Sequence, residues 1–133
     1  MNGLQALGLL LAHLAGDYVL QSHWMAQAKT SRWWPALVHA GVYTACYLPV
    51  TQSPLALLMI GGTHAVIDRH RLARHVIWAK NHLAPVGGRP QPWSACTATG
   101  YDPDVPAWLA VGLLIAADNT LHLVINVVAV VWL

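Results

Sequence analysis

The sequence contains few charged side chains and no glutamate. It has five aspartates and seven basic residues among 133 residues, so that 9% of the residues are charged and 56% are hydrophobic. A typical soluble domain has about 25% charged residues, and so few charges cannot cover the surface of a soluble monomer. The mean hydropathy of +0.47 agrees with this. The composition therefore predicts an integral membrane protein.

Cysteine is scarce too, with Cys46 in an apolar stretch and Cys96 in a polar one. This pair indicates neither a disulfide framework nor a cysteine-based metal motif. The first apolar run has no basic leader and carries His13 and Asp17, so we do not expect a cleaved signal there. The net charge of only +2 argues against a nucleic-acid partner.

Four apolar segments predict an all-α fold, an integral membrane four-helix bundle that forms a single transmembrane domain over residues 1–133. A span needs roughly 20 apolar residues, with about 17 tolerated. The third segment is shorter than the others and could continue as a helix beyond residue 68. The polar stretch that follows forms either a loop or an amphipathic interfacial helix. The predicted spans are about 3–20, 34–50, 54–68 and 107–131, and the polar stretch is 69–106.

All basic residues fall in two polar stretches, which four spans place on the same side of the membrane. Lys29 and Arg32 lie in the first stretch, and the other five lysines and arginines lie in 69–106. Basic loops are retained on the cytoplasmic side, so both termini are predicted to be outside a bacterial inner or plasma membrane. The expected partners are membrane lipids, and the seven tryptophans near segment ends are typical interfacial anchors.

Histidine and aspartate recur within the apolar segments at a spacing of four residues. This spacing places two side chains on one face of a helix, one turn apart. In a bundle, we expect these polar faces to turn inward and meet. The pairs are His13 with Asp17, His64 with Asp68, and Asp118 with His122, while His39 precedes Tyr43 by four.

The buried aspartates need neutralisation, because an ionised aspartate at the bilayer centre costs about 2.5–3.5 kcal/mol. Imidazole and carboxylate groups suit a divalent metal, with zinc favoured over iron or manganese and one or two ions held. Such a site can activate water for phosphoester hydrolysis, with an aspartate as general base. The predicted ligands are His13, Asp17, His39, His64, Asp68, Asp118 and His122, and the three aspartates are the predicted catalytic residues.

The ordered set of motifs resembles the domain-of-unknown-function 3307 family, small membrane proteins of bacteria and phages. The motifs are His13-Leu-Ala-Gly-Asp17-Tyr-Val-Leu-Gln21, Trp24-Met25-Ala26 with Lys29, His39-Ala-x-x-Tyr43, Thr63-His64-x-x-Ile67-Asp68 and Asp118-Asn-x-Leu-His122. Arg69-His70 departs from the lysine expected there. The family name implies no activity. A more distant similarity, to membrane-bound metal-dependent hydrolases of the YdjM type, is one of site chemistry only.

Two other functions are compatible with the same residues. The His–Asp pairs could be structural, in a non-enzymatic membrane protein that modulates the host membrane or excludes competing phages. The polar faces could also conduct protons or metal ions, although the outer halves of the segments are apolar. Haem ligation would leave the aspartates unexplained. A homo-oligomer is a further expectation, because Gly61-Gly62 would allow close helix approach.

Overall fold

The structure, a computed structural model, describes residues 2–133, and these contain helices and no strand. The all-α prediction is thus confirmed for the described part of the chain. The helices are α1 (Gly3–Leu14), α2 (His23–Ala28), α3 (Trp33–Cys46), α4 (Pro54–His70), α5 (Leu72–Asn81), α6 (Trp93–Cys96) and α7 (Ala107–Trp132). A π-helical turn (Ala15–Val19) continues α1, and a short 3₁₀ turn (Val86–Gly88) precedes α6.

Local sequence signals define the first helix and its end. Asn2 caps α1 by accepting a hydrogen bond from the Gln5 backbone, while the Gln5 side chain accepts one from the Asn2 backbone. The helix then widens into the π turn, where the Leu20 N–H donates to the Ala15 carbonyl at 2.8 Å. Single π turns are often found at functional sites. This one carries Asp17.

Helices α3 and α4 form an antiparallel pair joined by a short turn. Pro54 begins α4, a position where proline costs no hydrogen bond. A Cβ atom on Gly61 would lie 2.4 Å from the Thr44 hydroxyl oxygen, so glycine permits the close approach of the two helices. Gly61 therefore packs within its own chain, and the predicted oligomer contact through Gly61-Gly62 stays a prediction.

The described residues divide into two compact units, one reaching to His70 and including His122–Leu133, the other comprising Arg71–Leu121. In the first unit, four helices contribute to one apolar core. Its buried members are Leu9 and Ala12 of α1, Tyr43 of α3 with Tyr47 just after it, Ala56 and Ile60 of α4, and Ala129 of α7. This core lies beside the polar cluster described below, and two of its members, Tyr43 and Tyr47, carry hydroxyl groups that extend the polar network.

The second unit contains most of the stretch predicted as polar. Helix α4 does not continue through it, because Arg71 adopts a left-handed conformation with φ of 52° and separates α4 from α5. Arg71 and Arg74 donate hydrogen bonds to the carbonyls of Ala98 and Thr97 at 2.8 and 2.7 Å. These guanidinium groups thus hold the chain after α6 against α5.

Among the described residues, one helix is both long and apolar enough to cross a membrane. This is α7, whose 26 residues correspond to about 39 Å. Helices α1, α3 and α4 have 12, 14 and 17 residues. The prediction of four spans accordingly stays a prediction.

Candidate metal centre

Five histidine and aspartate side chains from four parts of the chain converge in the first unit. His39 projects from the middle of α3, and His64 and Asp68 are one turn apart on α4. Asp17 comes from the π turn and His122 from α7. The three histidines are at most 1% exposed, Asp68 is 6% exposed, and the Asp17 side chain is 11% exposed. The cluster is therefore buried, with its nearest access to solvent beside Asp17.

The first group of candidate ligands consists of Asp17, His39 and His64. The Nε2 atoms of His39 and His64 are 2.9 Å apart. Oδ1 of Asp17 lies 3.2 Å from His39 Nε2 and 3.4 Å from His64 Nε2. At most one hydrogen can lie between Nε2 of His39 and Nε2 of His64. At least one nitrogen lone pair therefore lies close to the negatively charged Asp17 carboxylate.

The second group consists of His64, Asp68 and His122. Oδ2 of Asp68 lies 3.2 Å from His64 Nε2 and 3.3 Å from His39 Nε2. The other oxygen, Oδ1, lies 3.5 Å from His122 Nε2. Asp68 therefore contacts all three imidazoles and occupies the centre of the cluster.

These separations are ones that the ligands of a metal ion could have. With metal–ligand bonds of about 2.0–2.2 Å, neighbouring ligand atoms in tetrahedral or octahedral geometry lie roughly 2.9–3.5 Å apart. An imidazole nitrogen has a single lone pair and can ligate one ion. Because Nε2 of His64 lies within 3.4 Å of Asp17 in the first group and of Asp68 in the second, we interpret the two groups as a single centre. The donor set of nitrogen and oxygen fits zinc, iron and manganese.

Aromatic packing fixes the orientation of the imidazole rings. The ring of His64 stacks on Tyr43, with centroids 3.7 Å apart, and lies 4.2 Å from the ring of His122. Metal-binding histidines usually donate their second N–H to a carboxylate or carbonyl. Among the described residues, Nδ1 of His39 and of His64 has no such partner. Ring packing therefore takes the place of that hydrogen bond here.

Lys29 belongs to the cluster, although the sequence predicted for it a role in membrane topology or in steering a phosphate-bearing substrate. It caps the C-terminus of α2, and its Nζ lies 2.8 Å from Asp68 Oδ2 and 3.3 Å from His39 Nε2. Its side chain is 17% exposed. The only sequence signal for this role was the presence of Lys29 among the residues that carry the family resemblance.

A buried hydrogen-bond network adjoins the cluster. The Asn126 amide donates to the hydroxyls of Tyr43 and Tyr47 at 2.6 and 2.7 Å. The Tyr43 hydroxyl lies 2.7 Å from His13 Nδ1, which in turn lies 3.4 Å from Asp17 Oδ2. The Tyr43 hydroxyl also lies 3.1 Å from the Tyr47 hydroxyl, so its single hydrogen can be donated to either Tyr47 or His13. The network thus reaches Asp17 and orients its carboxylate.

The structure brings together five of the seven predicted ligands and leaves two outside the two groups. Five of them form the two groups, while His13 contacts Asp17 and Tyr43 and is not in either group. Asp118 lies on α7 in the second unit, one turn before His122, and is not in either group. The roles of His13 and Asp118 as ligands stay predictions. His75, a weaker candidate, stacks on Trp93 in the second unit, with centroids 4.3 Å apart.

Arg69, a basic residue next to Asp68, holds a neighbouring loop in place. The Arg69 guanidinium donates to the Thr30 carbonyl at 2.9 Å and lies 5.6 Å from the ring of Trp33. This bond fixes the residue that follows Lys29. Arg69 therefore helps to hold the segment that carries the lysine into the cluster.

Residues 6–84 match the family described as "Protein of unknown function (DUF3307)". The chain belongs to this family. The matched region contains six residues of the site, and His122 lies outside it. These six are His13, Asp17, Lys29, His39, His64 and Asp68. No curated protein and no solved structure matches the chain. Membership in the domain-of-unknown-function 3307 family therefore brings no activity with it.

Proposed function

We propose that this member of the domain-of-unknown-function 3307 family is a membrane-embedded, metal-dependent hydrolase. The observation that supports it is the convergence of three imidazole nitrogens and two carboxylates within 2.9–3.5 Å of their neighbours. Two carboxylates lie in this buried cluster, and the single ammonium of Lys29 offsets the charge of only one of them. One divalent ion in the cluster would supply the missing charge.

The proposed reaction is the hydrolysis of a phosphoester. A bound divalent ion lowers the pKa of a coordinated water and polarises a phosphoryl oxygen. A six-coordinate ion held by His39, His64, Asp68 and His122 would keep two positions, one for water and one for a phosphoryl oxygen, and would not use Asp17 as a ligand. Asp17 is the most exposed carboxylate of the cluster and is our candidate for the general base. Lys29 would contribute positive charge beside the same position.

The membrane setting is part of the proposal and is supported by exposed apolar surface. Helix α1 alone exposes five leucines by 41% or more, namely Leu4, Leu7, Leu10, Leu11 and Leu14. Soluble monomers rarely expose contiguous apolar patches of this kind. Helix α7 adds a segment of spanning length. A substrate that reaches such a site from the bilayer is a phospholipid, and we favour a phospholipid over a soluble phosphoester.

The test is a hydrolysis assay on the purified protein in mixed detergent–phospholipid micelles, with zinc, iron(II) or manganese added after chelation. We expect metal-dependent release of a phosphorylated headgroup or of inorganic phosphate. Asp68→Asn should abolish it, because Asp68 contacts all three imidazoles. Asp104→Asn is the matched control, since Asp104 is exposed and should leave turnover unchanged. Absence of product with every metal and every phosphoester class would contradict the proposal.

A second candidate function is supported by the contact between Lys29 and Asp68. At 2.8 Å, the ammonium group neutralises the central carboxylate without any metal. The cluster would then be a structural device of a non-enzymatic membrane protein. This alternative predicts that the wild-type protein binds no metal tightly and that the variant Asp68→Asn loses stability alone. Metal binding therefore separates the two functions.

A further inference from the structure

Lys29 occupies a position that a metal ion at the candidate centre would require. Its Nζ lies 2.8 Å from Asp68 Oδ2 and 3.3 Å from His39 Nε2, and both atoms are ligand atoms of the proposed metal. An ammonium donates to the lone pair of His39 that a metal would accept. Lys29 and a divalent ion therefore compete for the same two atoms.

Lys29 is less tightly packed than the histidine and aspartate that it contacts. The residue caps α2, a helix of six residues with no buried side chain, and its own side chain is 17% exposed. In contrast, His39 is fully buried and Asp68 is 6% exposed on α4. Any movement that resolves the competition therefore falls on Lys29 and not on the ligands.

From this geometry we propose that Lys29 is an exchangeable cation, which holds the site in the metal-free protein and forms an oxyanion site in the metal-bound protein. When a divalent ion takes Asp68 and His39, the ammonium is repelled by the ion and released from its acceptors. It stays tethered beside the centre, where a phosphate oxyanion would bridge lysine and metal. This inference rests on the proposed metal site and adds a specific role for a residue that is not a ligand.

The first test titrates Co²⁺ into chelator-treated wild type, Lys29→Met and Lys80→Met, with binding followed by calorimetry and by the cobalt absorption spectrum. Removing the competing ammonium should tighten cobalt binding by about 10-fold or more, because the metal then no longer has to break a charge-assisted hydrogen bond. Inorganic phosphate should shift the cobalt spectrum of the wild type and do so far more weakly in Lys29→Met. Lys80 is exposed, so Lys80→Met should match the wild type.

The second test uses the wild type alone and so does not depend on how Lys29→Met folds. Acetylation by a soluble acylating reagent is quantified at each lysine by mass spectrometry, with and without zinc. We expect zinc to increase labelling of Lys29 severalfold while leaving that of Lys80 unchanged. Unchanged Lys29 labelling in the zinc-bound protein would overturn the inference.

The outcomes separate this inference from the proposed function. Equal cobalt affinity in wild type and Lys29→Met would overturn the exchange while leaving the metal site intact. Binding in Lys29→Met that greatly exceeds wild-type binding would support the exchange. If neither protein binds cobalt or zinc, both the metal site and the exchange are refuted.

Discussion

The substitution Asp68→Asn removes the carboxylate on which the whole cluster depends. Asp68 contacts the Lys29 ammonium at 2.8 Å and the three imidazoles at 3.2–3.5 Å. Asparagine has nearly the same volume, so packing is conserved while the charge is lost. The variant therefore measures electrostatics and ligation and leaves no cavity.

Its effect has two parts. Removing one member of a fully buried ion pair costs about 3–5 kcal/mol, and because Lys29 is 17% exposed and can regain water, we expect about 2–3 kcal/mol in the metal-free protein. The wild type with metal at 100 times its dissociation constant gains a further ~2.7 kcal/mol, which the variant forgoes. At roughly 3 °C per kcal/mol for a chain of this size, the Tm should fall by about 6–9 °C without metal and by about 14–17 °C with it.

The assay is thermal unfolding in detergent micelles, in EDTA and in excess zinc, of wild type, Asp68→Asn and the exposed control Asp104→Asn. The control should unfold with the wild type in both conditions. A Tm difference for Asp68→Asn that is identical with and without zinc would show that no metal depends on this carboxylate. A variant that unfolds like the control in EDTA would refute the stabilising role of the contact with Lys29.

Three further predictions concern packing, the buried network and a thiol. Gly16→Ala should destabilise the protein by about 1–3 kcal/mol in thermal unfolding, because its Cβ would lie 2.5 Å from the Tyr43 ring. Gly41→Ala, which meets nothing within 4 Å, should be neutral or stabilising. Tyr43→Phe should cost about 1–3 kcal/mol, since it leaves buried polar partners unsatisfied, and a variant as stable as wild type would contradict the network. Burial, followed by the Asp102 carboxylate, raises the pKa of the Cys96 thiol to about 11. Only about 0.1% of it is then ionised at pH 8, against roughly a quarter of an ordinary thiol, so iodoacetamide should alkylate Cys96 slowly and Asp102→Asn should accelerate the reaction.

The cluster could be predicted from the sequence because its histidines and aspartates recur at a spacing of four residues. The pair His64 and Asp68 lies on one face of α4 as the spacing of four requires, and helix packing brings His39 and His122 to the same point. Asp17 also joins the cluster, although its turn is π-helical and not α-helical. The spacing of four still predicts that Asp17 and His13 lie near each other, because the π-helical turn is only five residues long.

Other features depend on tertiary structure and leave no periodic signal. Lys29 sits in a short polar helix that reads as surface, and only the fold brings its ammonium to Asp68. Asp118 has the same spacing to His122 as the residues of the other pairs, yet the two residues belong to different compact units. The left-handed conformation of Arg71, which separates α4 from α5, is one that hydropathy cannot predict for a non-glycine residue.

The most direct test of the metal centre is elemental mass spectrometry of protein purified in detergent, reloaded with zinc, iron(II) or manganese and freed of excess ion. Because His64 Nε2 lies close to both Asp17 and Asp68, we predict close to one ion per chain in the wild type and in Asp104→Asn. His64→Ala and Asp68→Asn should each lose it while remaining helical by circular dichroism. A folded wild type that holds no metal after reloading would contradict the account and leave Lys29 and the histidines to neutralise the two carboxylates.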